Sequence, residues 1–324
     1  MKYENDKISV IIPCYNGEKY IDTCLNALLN QTYKNIQVIV VDDGSIDNSL
    51  KKLNDYVSRF RRKNMQLIVK HQNNNGQAAA INNALLDVTG EFLCWQDIDD
   101  FYCKDALENM INLLKTKKAN FMRGEAAFYN INNINEIIRI GKSNNPENTD
   151  IFESYIYQTD SYAFPGIFMV KMECFDKYIK KRKIYESREG QNWQLILPIA
   201  YNEKCFYLNK VVYNMVEHSD SHSRRKYNSA EELINRIEGL EDVLINTLRS
   251  IGVYDRYKKT LNNKYLREKM EVSYTFSNKE LYNKYYMKLK ENNEINNKDK
   301  IKKILVNNVK LKKMIDRIRG KGND

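Results

Sequence analysis

The sequence predicts an α/β fold in which a mostly parallel sheet carries helices on both faces, followed by a C-terminal helical region. Two observations predict it. Over the first hundred residues, short apolar segments alternate with amphipathic segments at short spacing, which is typical of a parallel sheet. From Ser229 onward the chain is rich in lysine and lacks proline, and its pattern is almost wholly helical.

The first hundred residues contain four predicted strands and three predicted helices. The first strand is an apolar, largely β-branched run that ends at Pro13, and the helix after it has apolar residues at helical spacing. Asp47 can cap the second helix. The predicted strands are residues 8–12, 36–41, 67–69 and 91–95, and the predicted helices are residues 18–31, 47 to about 59, and 76–88.

The pattern is looser between residue 118 and Tyr227. The predicted elements there are strands at 121–129 and 136–140, which could pair antiparallel, a polar loop at 144–150, a helix at 191–201 and a strand at 205–216. A length of 324 residues suits one large domain with an appendage, or two domains. We place one domain at 1–227, with halves 1–118 and 119–227, and a basic helical region at 228–324.

Composition excludes several classes of protein. With 12 Gly and 4 Pro, the chain is neither collagen-like nor a Pro/Gly-rich disordered protein. No run of 18 apolar residues predicts a membrane span, and the polar N-terminus lacks the apolar region of a signal peptide. The six cysteines form no CxxC pair, which favours reduced, buried thiols. We therefore expect a cytoplasmic protein, soluble or peripheral at the inner leaflet.

The net charge favours an anionic partner. Lys and Arg number 52 against 42 Asp and Glu, a formal charge of +10. This excess does not distinguish nucleic acid from phosphates or anionic lipid.

Polar clusters follow three of the predicted strands. Ligands of open α/β sheets bind at the carboxyl ends of the strands, so these clusters are the candidate site. Asp97 and Asp99, after the fourth strand, suit a hard divalent cation such as Mg²⁺ or Mn²⁺, and the alternative is an ordinary acidic turn. The clusters are residues 13–16 (PCYN), 42–45 (DDGS) and 96–100 (QDIDD).

Several motifs, in order and at the usual spacing, resemble family 2 glycosyltransferases. The resemblance is strong over residues 8–105 and continues weakly to about 225. The motifs are ISVIIPCYNGEKYI at 8–21, NQTY at 30–33, IVVDDGS at 39–45, Asn75-Gly76 through Asn82, TGE at 89–91 and DIDD at 97–100.

The resemblance implies a GT-A fold and a nucleotide-diphospho-sugar ligand, most often UDP-linked. By motif, Pro13, Tyr15 and Glu18 would line the nucleoside pocket and Asp43 would bind the base. The remaining implied donor-site residues are Asp97 and Ile98 for the nucleotide sugar and Asp99 for the metal, Mn²⁺ or Mg²⁺. For Asp42 and Asp43 the alternative to ligand binding is a structural role in a turn or helix cap. For Tyr15 the alternative is a place in the core.

A later segment, HSDSHS at 218–223, fits the family's H-x-x-S-x-S pattern. There the resemblance implies that His218 reaches the metal or the diphosphate, and the alternative is a solvated loop histidine. The basic residues Arg224 to Lys226 suit phosphate oxygens.

Two departures from the family pattern matter. Ala80-Ile81-Asn82 replaces Ala-Arg-Asn, so an expected cation is absent. In the acceptor half, where inverting members carry Glu-Asp with the Asp as base, amides stand at Gln191 and Asn192. Because an amide is not a useful base, we predict Glu189 as the catalytic base, with Asp160, Glu186 or a slower, differently arranged chemistry as alternatives.

The acceptor sugar has its own candidate residues. Gln191 and Asn192 could bind it through their amides and Trp193 through ring stacking, although Trp193 suits the core equally well. Phe164-Pro165-Gly166 lies where the family has a loop beside the donor sugar, and an ordinary turn is the alternative.

The last segment, Lys298 to Asp324, is basic and has apolar residues three and four apart. This pattern predicts an amphipathic helix that binds an anionic membrane surface or a partner, and the alternative is a helix packed on its own domain.

The predicted function is transfer of a hexosyl or N-acetylhexosaminyl group from a nucleotide sugar to a hydroxyl of a growing bacterial surface glycan, free or lipid-linked. We expect inversion and metal dependence. One alternative is a catalytically silent scaffold that binds sugar nucleotides. A weaker one is a nucleic-acid-binding protein, which the absence of a nucleic-acid-binding motif disfavours.

Overall fold

The computed structural model describes residues 3–130, 133–159, 163–217, 227–308, 311–312 and 314. The chain divides into two compact units, residues 1–223 and residues 224–324.

Within its described residues, the first unit contains a sheet of nine strands. The order is β3-β2-β1-β4-β8-β6-β9-β5, and β7 pairs with β6 beside that path. The strands are β1 Glu4–Cys14, β2 Ile36–Asp43, β3 Gln66–Gln72, β4 Gly90–Trp95, β5 Phe101–Tyr102, β6 Phe121–Asn130, β7 Asn133–Gly141, β8 Phe168–Lys171 and β9 Cys205–Glu217.

Helices of the first unit connect these strands. They are α1 Ile21–Leu29, α2 Ser49–Arg62, α3 Gln77–Leu85, α4 Ala106–Lys117, α5 Phe152–Tyr157, α6 Met172–Tyr178 and α7 Gln191–Ala200, with one 3-10 turn at Lys180–Arg182. The α/β class predicted from the sequence is confirmed.

The four N-terminal strands are parallel because each β-strand returns through a helix. β1 pairs in parallel with β2 and β4, and β2 with β3. The apolar residues of β1, β2 and β4 are almost fully buried, as expected for strands covered on both faces. Ile68 and Val69 of the edge strand β3 are only partly buried. In register, Cys14 faces Asp42 and Asp43 faces Gln72, so the carboxyl ends of these strands meet at one edge of the sheet.

The strand ends differ slightly from the prediction. β1 continues through Pro13 to Cys14, and Pro13 pairs with Val41 of β2. A proline loses one backbone donor but is compatible with extended geometry near a strand end. β2 likewise includes Asp42 and Asp43, which the sequence pattern predicted to lie after the end of the strand. The second half of the sheet is mixed, and β6 and β7 form the predicted antiparallel pair.

The second unit is helical, as predicted from Ser229 onward. Its described helices are α8 Ala230–Ser250, α9 Tyr254–Thr275, α10 Lys279–Glu291 and α11 Asn297–Asn307. Side chains satisfy the exposed backbone donors at several helix starts: Ser229 accepts from the Glu232 amide at 3.2 Å, and Asn296 and Asp299 form a reciprocal capping box. Met270, Tyr282 and Leu289 are fully buried in a shared core.

The predicted helix at Lys298–Asp324 is described only in part. α11 ends at Asn307, and beyond residue 308 only positions 311, 312 and 314 lie within the described residues. Leu305 and Val306 are buried, which agrees with packing on the helical unit, whereas Ile301 and Ile304 are exposed. In the described part of the chain, no helix has both the length and the apolar character needed to cross a bilayer.

All six cysteines lie in described residues and are free thiols; five are buried and Cys103 is partly exposed. Burial raises the pKa of Cys14, Cys174 and Cys205 to about 12. Since the thiolate is the nucleophile, we expect native protein at pH 8 to react slowly with Ellman's reagent, Cys103 first, and six thiols to react after denaturation. Rapid labelling of two or more thiols in the native state would contradict this burial.

Candidate active site

The loops that follow β1 and β2 are bound to each other at the carboxyl edge of the sheet. The Asn16 amide donates to Ser45 Oγ at 2.9 Å, and the Ile46 amide donates to Asn16 Oδ1 at 3.0 Å. The Asn48 amide donates to Glu18 Oε2 at 3.1 Å. The predicted nucleoside-pocket residue Glu18 is therefore held in place by the neighbouring loop.

Tyr15 projects from the same loop. Its side chain is 50% exposed, so it is not a core aromatic, and Pro13 before it is partly exposed. Gly17 approaches the loop after β4: a Cβ built on it would lie 3.0 Å from Ile98 Cγ1. The structure thus brings the predicted residues of the first loop beside Ile98, which is buried.

Asp43 is buried at the end of β2, and its carboxylate organises the start of α3. Oδ1 accepts from Gln72 Nε2 at 2.8 Å and from the Asn75 amide at 2.9 Å, and Oδ2 accepts from the Gly76 amide at 2.8 Å. Asp43 therefore caps the loop before α3. The alternative drawn from the sequence, a turn or a cap of the following helix α2, does not describe these contacts. Its predicted contact with a nucleobase would have to coexist with these three bonds.

Three carboxylates cluster after β4. Asp97, Asp99 and Asp100 each offer an oxygen within 4.8 Å of the others. Burial, then repulsion from Asp99, raises the pKa of Asp97 to about 7, and burial with both neighbours raises the pKa of Asp100 well above its usual range. Like charges held this close favour a bound cation.

Asp100 lies in the predicted cluster at 96–100, but it was assigned no role of its own from the sequence. Its Oδ1 accepts from the Val216 amide of β9 at 2.9 Å, so the cluster is tied to the acceptor half of the sheet. Its position in the sequence, directly after the Asp97-x-Asp99 pattern, could have suggested a role. Only the fold, however, shows that the buried Asp100 carboxylate lies beside the other two.

A chain of side-chain hydrogen bonds joins Asp97 to α7. Gln77, the first residue of α3, donates from Nε2 to Asp97 Oδ1 at 2.6 Å, and Gln191 donates from its amide to Gln77 Oε1. The Asp97 amide donates to the Tyr213 hydroxyl at 3.1 Å. Gln77 and Tyr213 were missed by sequence reasoning, since nothing in a sequence pattern pairs residues so far apart.

The other predicted acceptor residues also contact the protein itself. Asn192 Oδ1 accepts from Trp95 Nε1 at 3.1 Å. Trp193 is partly buried. Glu189, the predicted base, lies one residue before Gly190 in the same segment, is partly exposed, and its amide donates to Ser187 Oγ at 3.2 Å.

Two predicted residues, His218 and Asp160, lie outside the described residues, as do Arg224, Arg225 and Lys226. Glu186, an alternative base, is exposed, and hydrogen bonds from Lys183 and then Asn82 lower its pKa.

The oxygen-rich cluster fits a hard divalent cation, and Asp97, Asp99 and Asp100 are the described residues that would hold it. Such an ion would stabilise negative charge on a departing diphosphate. The protein's own part is to fix the carboxylates, through Gln77, Tyr213 and the Val216 amide.

Comparison with known proteins agrees with this geometry. The "Glycosyl transferase family 2" model matches residues 9–179, more than half of the chain. "Glycosyltransferase GlyA" of Streptococcus pneumoniae is 30% identical over 219 residues, which cover 66% of this chain and 29% of that protein. "Poly(ribitol-phosphate) beta-glucosyltransferase" of Bacillus spizizenii is 26% identical over 256 residues, 71% of this chain and 40% of that protein. The chain thus spans less than half the length of both relatives.

Among solved structures, S. aureus TarS 1-349 in complex with UDP-GlcNAc superposes with a TM-score of 0.57 at 21% identity, covering 82% of this chain and 81% of that one. At this identity the likeness shows a shared fold, which confirms the predicted GT-A architecture. With the family model covering most of the α/β unit, the chain belongs to glycosyl transferase family 2.

Proposed function

We propose that this chain transfers a sugar from a UDP-linked donor to a hydroxyl of a growing bacterial surface glycan. The observation that carries the proposal is the carboxylate cluster at the end of β4 in a family 2 chain. Hydrogen bonds with Gln77, Tyr213 and the Val216 amide hold this cluster in place. A UDP-linked donor is supported by TarS, which was solved with UDP-GlcNAc, and a polymeric acceptor by the Bacillus relative, whose name gives poly(ribitol-phosphate).

In this proposal the loop after β1 holds the nucleoside with Pro13, Tyr15 and Glu18. The nucleotide-sugar contacts come from Asp43, Asp97 and Ile98. Asp99 and His218 bind Mn²⁺ or Mg²⁺, and the carboxylates of Asp97 and Asp100 complete the acidic cluster around that cation. Single displacement with inversion needs a base on the acceptor side of the sugar, and the acceptor would contact Gln191, Asn192 and Trp193.

A screen of donors tests the proposal. We expect UDP-GlcNAc or UDP-glucose with Mn²⁺ to raise the melting temperature, because a ligand specific for the folded state stabilises it by mass action. Release of UDP should follow when a hydroxyl acceptor is supplied. A protein that gains no stability from any UDP-sugar, with or without Mn²⁺, would contradict the proposed donor class.

Glu189 is the proposed base. We expect Glu189→Gln to lower kcat by about 10²- to 10⁴-fold, the usual contribution of a positioned base, without weakening UDP binding. The matched control is Glu186→Gln, since Glu186 lies three residues away but its lowered pKa makes it a poor proton acceptor. A larger loss in the Glu186 variant would transfer the role to that residue.

A second candidate function is a silent scaffold that binds sugar nucleotides. It is favoured by the amides of Gln191 and Asn192, which occupy the acidic positions of the motif and bond to Gln77 and Trp95. Binding of a UDP-sugar without transfer or hydrolysis would support the scaffold over the enzyme.

The proposal extends to an anionic membrane surface, where a lipid-linked acceptor would lie. Exposed Ile301 and Ile304 on α11, in a segment rich in lysine, support it. Sedimentation with vesicles containing phosphatidylglycerol, compared with neutral vesicles, measures this association.

A further inference from the structure

An exposed arginine lies at the start of α3. A Cβ built on Gly76, the residue that precedes α3, would lie 3.6 Å from Arg188 Cγ. Arg188 itself is exposed, and among the described residues its guanidinium has no hydrogen bond or ion pair. Within the described part of the chain, an unpaired cationic side chain thus lies beside Gly76, one residue before Gln77.

Long-range hydrogen bonds fix the segment that carries Arg188. Asn82 of α3 donates to the Ile184 carbonyl at 3.0 Å and accepts from the Ile184 amide at 2.8 Å. Gln194 of α7 accepts from the Tyr185 amide at 2.6 Å and donates to the Tyr185 carbonyl at 2.9 Å. The segment that carries Arg188 is therefore hydrogen-bonded to α3 through Ile184 and to α7 through Tyr185.

The position is close to where a diphosphate would bind. Gly76 is followed by Gln77, which donates to Asp97 of the carboxylate cluster. The backbone amides of the two residues before α3 already donate to Asp43, so this helix start offers an anion only the partial positive charge of its first-turn dipoles. Arg188 would add the full positive charge that these dipoles lack.

Three cations of the neighbouring segments are paired with carboxylates. Lys52 binds Asp22 at 2.8 Å, Lys70 binds Asp87, and Arg182 binds Asp176 at 2.9 Å. α3 itself contains no basic residue, and Ile81 within it is almost fully buried. The family pattern has an arginine where this chain has Ile81. An arginine at that position would have to enter the core, so α3 cannot supply a positive charge from it.

We propose that Arg188 binds the diphosphate of the nucleotide-sugar donor, supplying from the segment before α7 the positive charge that α3 lacks. This inference rests on the proposed function. The planar guanidinium can donate two parallel hydrogen bonds to phosphate oxygens, which fixes their orientation as well as neutralising charge. Its neighbour Glu189 would then be positioned relative to the leaving group.

Binding of UDP, UMP and uridine tests the proposal. Calorimetry measures the two nucleotides and ligand-observed NMR the weaker uridine, each with Mn²⁺ and again with EDTA. We expect Arg188→Gln to weaken UDP binding roughly ten- to hundredfold, the range for a lost charge-assisted hydrogen bond. UMP binding should weaken less, uridine binding should not change, and Arg188→Lys should recover part of the loss.

The matched control is Arg62→Gln, which removes an exposed arginine from the last turn of α2, at the opposite edge of the sheet. UDP binding by Arg188→Gln equal to that of the wild type would overturn the inference and leave the proposed function intact. An equal loss for uridine and UDP would also overturn it, because Arg188 would then shape the nucleoside pocket. If the wild type binds no UDP, both the inference and the proposed donor are wrong.

Discussion

Replacing Asp99 by asparagine should lower sugar transfer by about two to three orders of magnitude, because stabilisation of a leaving diphosphate by a metal contributes several kcal/mol. Asparagine keeps the shape of the side chain and removes its charge. Asp99 is partly exposed, so the fold should persist. The rate of UDP release, measured with saturating donor and Mn²⁺, checks this expectation.

The same variant should lose the rise in melting temperature that Mn²⁺ gives the parent. Asp55→Asn is the matched control, since Asp55 is an exposed carboxylate on α2 outside the cluster. A metal response in the Asp99 variant equal to that of the parent would remove Asp99 from the ligand set.

The response to metal should also depend on pH. The pKa of Asp97 is raised to about 7 by burial and by Asp99, so at pH 6 a proton competes with the cation for this carboxylate. The shift caused by Mn²⁺ should therefore grow between pH 6 and pH 8. In Asp99→Asn one cause of the raised pKa is gone, which should move the remaining titration of Asp97 to lower pH.

Periodicity predicted the N-terminal half of the sheet, because strands and helices there are regular and local. It overlooked α4, although buried Leu107, Met110 and Leu114 have helical spacing. The short strands β5 and β8 were not predictable in this way. With two and four residues, they are strands only through pairing with distant partners, β9 for one and β4 and β6 for the other.

In the candidate site, too, some residues could be grouped from the sequence and others only from the fold. The acidic residues follow strand ends, and their meeting at one edge follows from parallel pairing, so a sequence suffices to group them. The contacts of Gln191 with Gln77 and of Asn192 with Trp95 join positions about a hundred residues apart. Only the folded chain shows that these amides bond within the protein, and that Arg188 lies beside Gly76.

Replacing Gly166 by alanine should destabilise the first unit by about 2–5 kcal/mol, combining the cost of a left-handed residue with that of an overpacked core. Gly166 has a φ of +76°, and a Cβ there would lie 2.1 Å from the Tyr213 ring. Tyr213 is fully buried, packs against Tyr102 with ring centroids 5.3 Å apart, and cannot move outward without losing that contact.

Gly252→Ala separates the two costs. Gly252 has a φ of +73° but nothing within 4 Å of a built Cβ, so it should lose only about 1–2 kcal/mol for the backbone conformation. Both tryptophans, Trp95 and Trp193, belong to the first unit, so urea unfolding followed by fluorescence reports on Gly166→Ala. Far-ultraviolet circular dichroism reports on both units, and its difference from the fluorescence transition follows the helical unit for Gly252→Ala. Because the Tyr213 hydroxyl accepts from the Asp97 amide, displacement of the ring should also weaken the Mn²⁺ response. Equal losses in the two variants would mean that the Tyr213 ring yields freely and does not hold the carboxylate cluster in place.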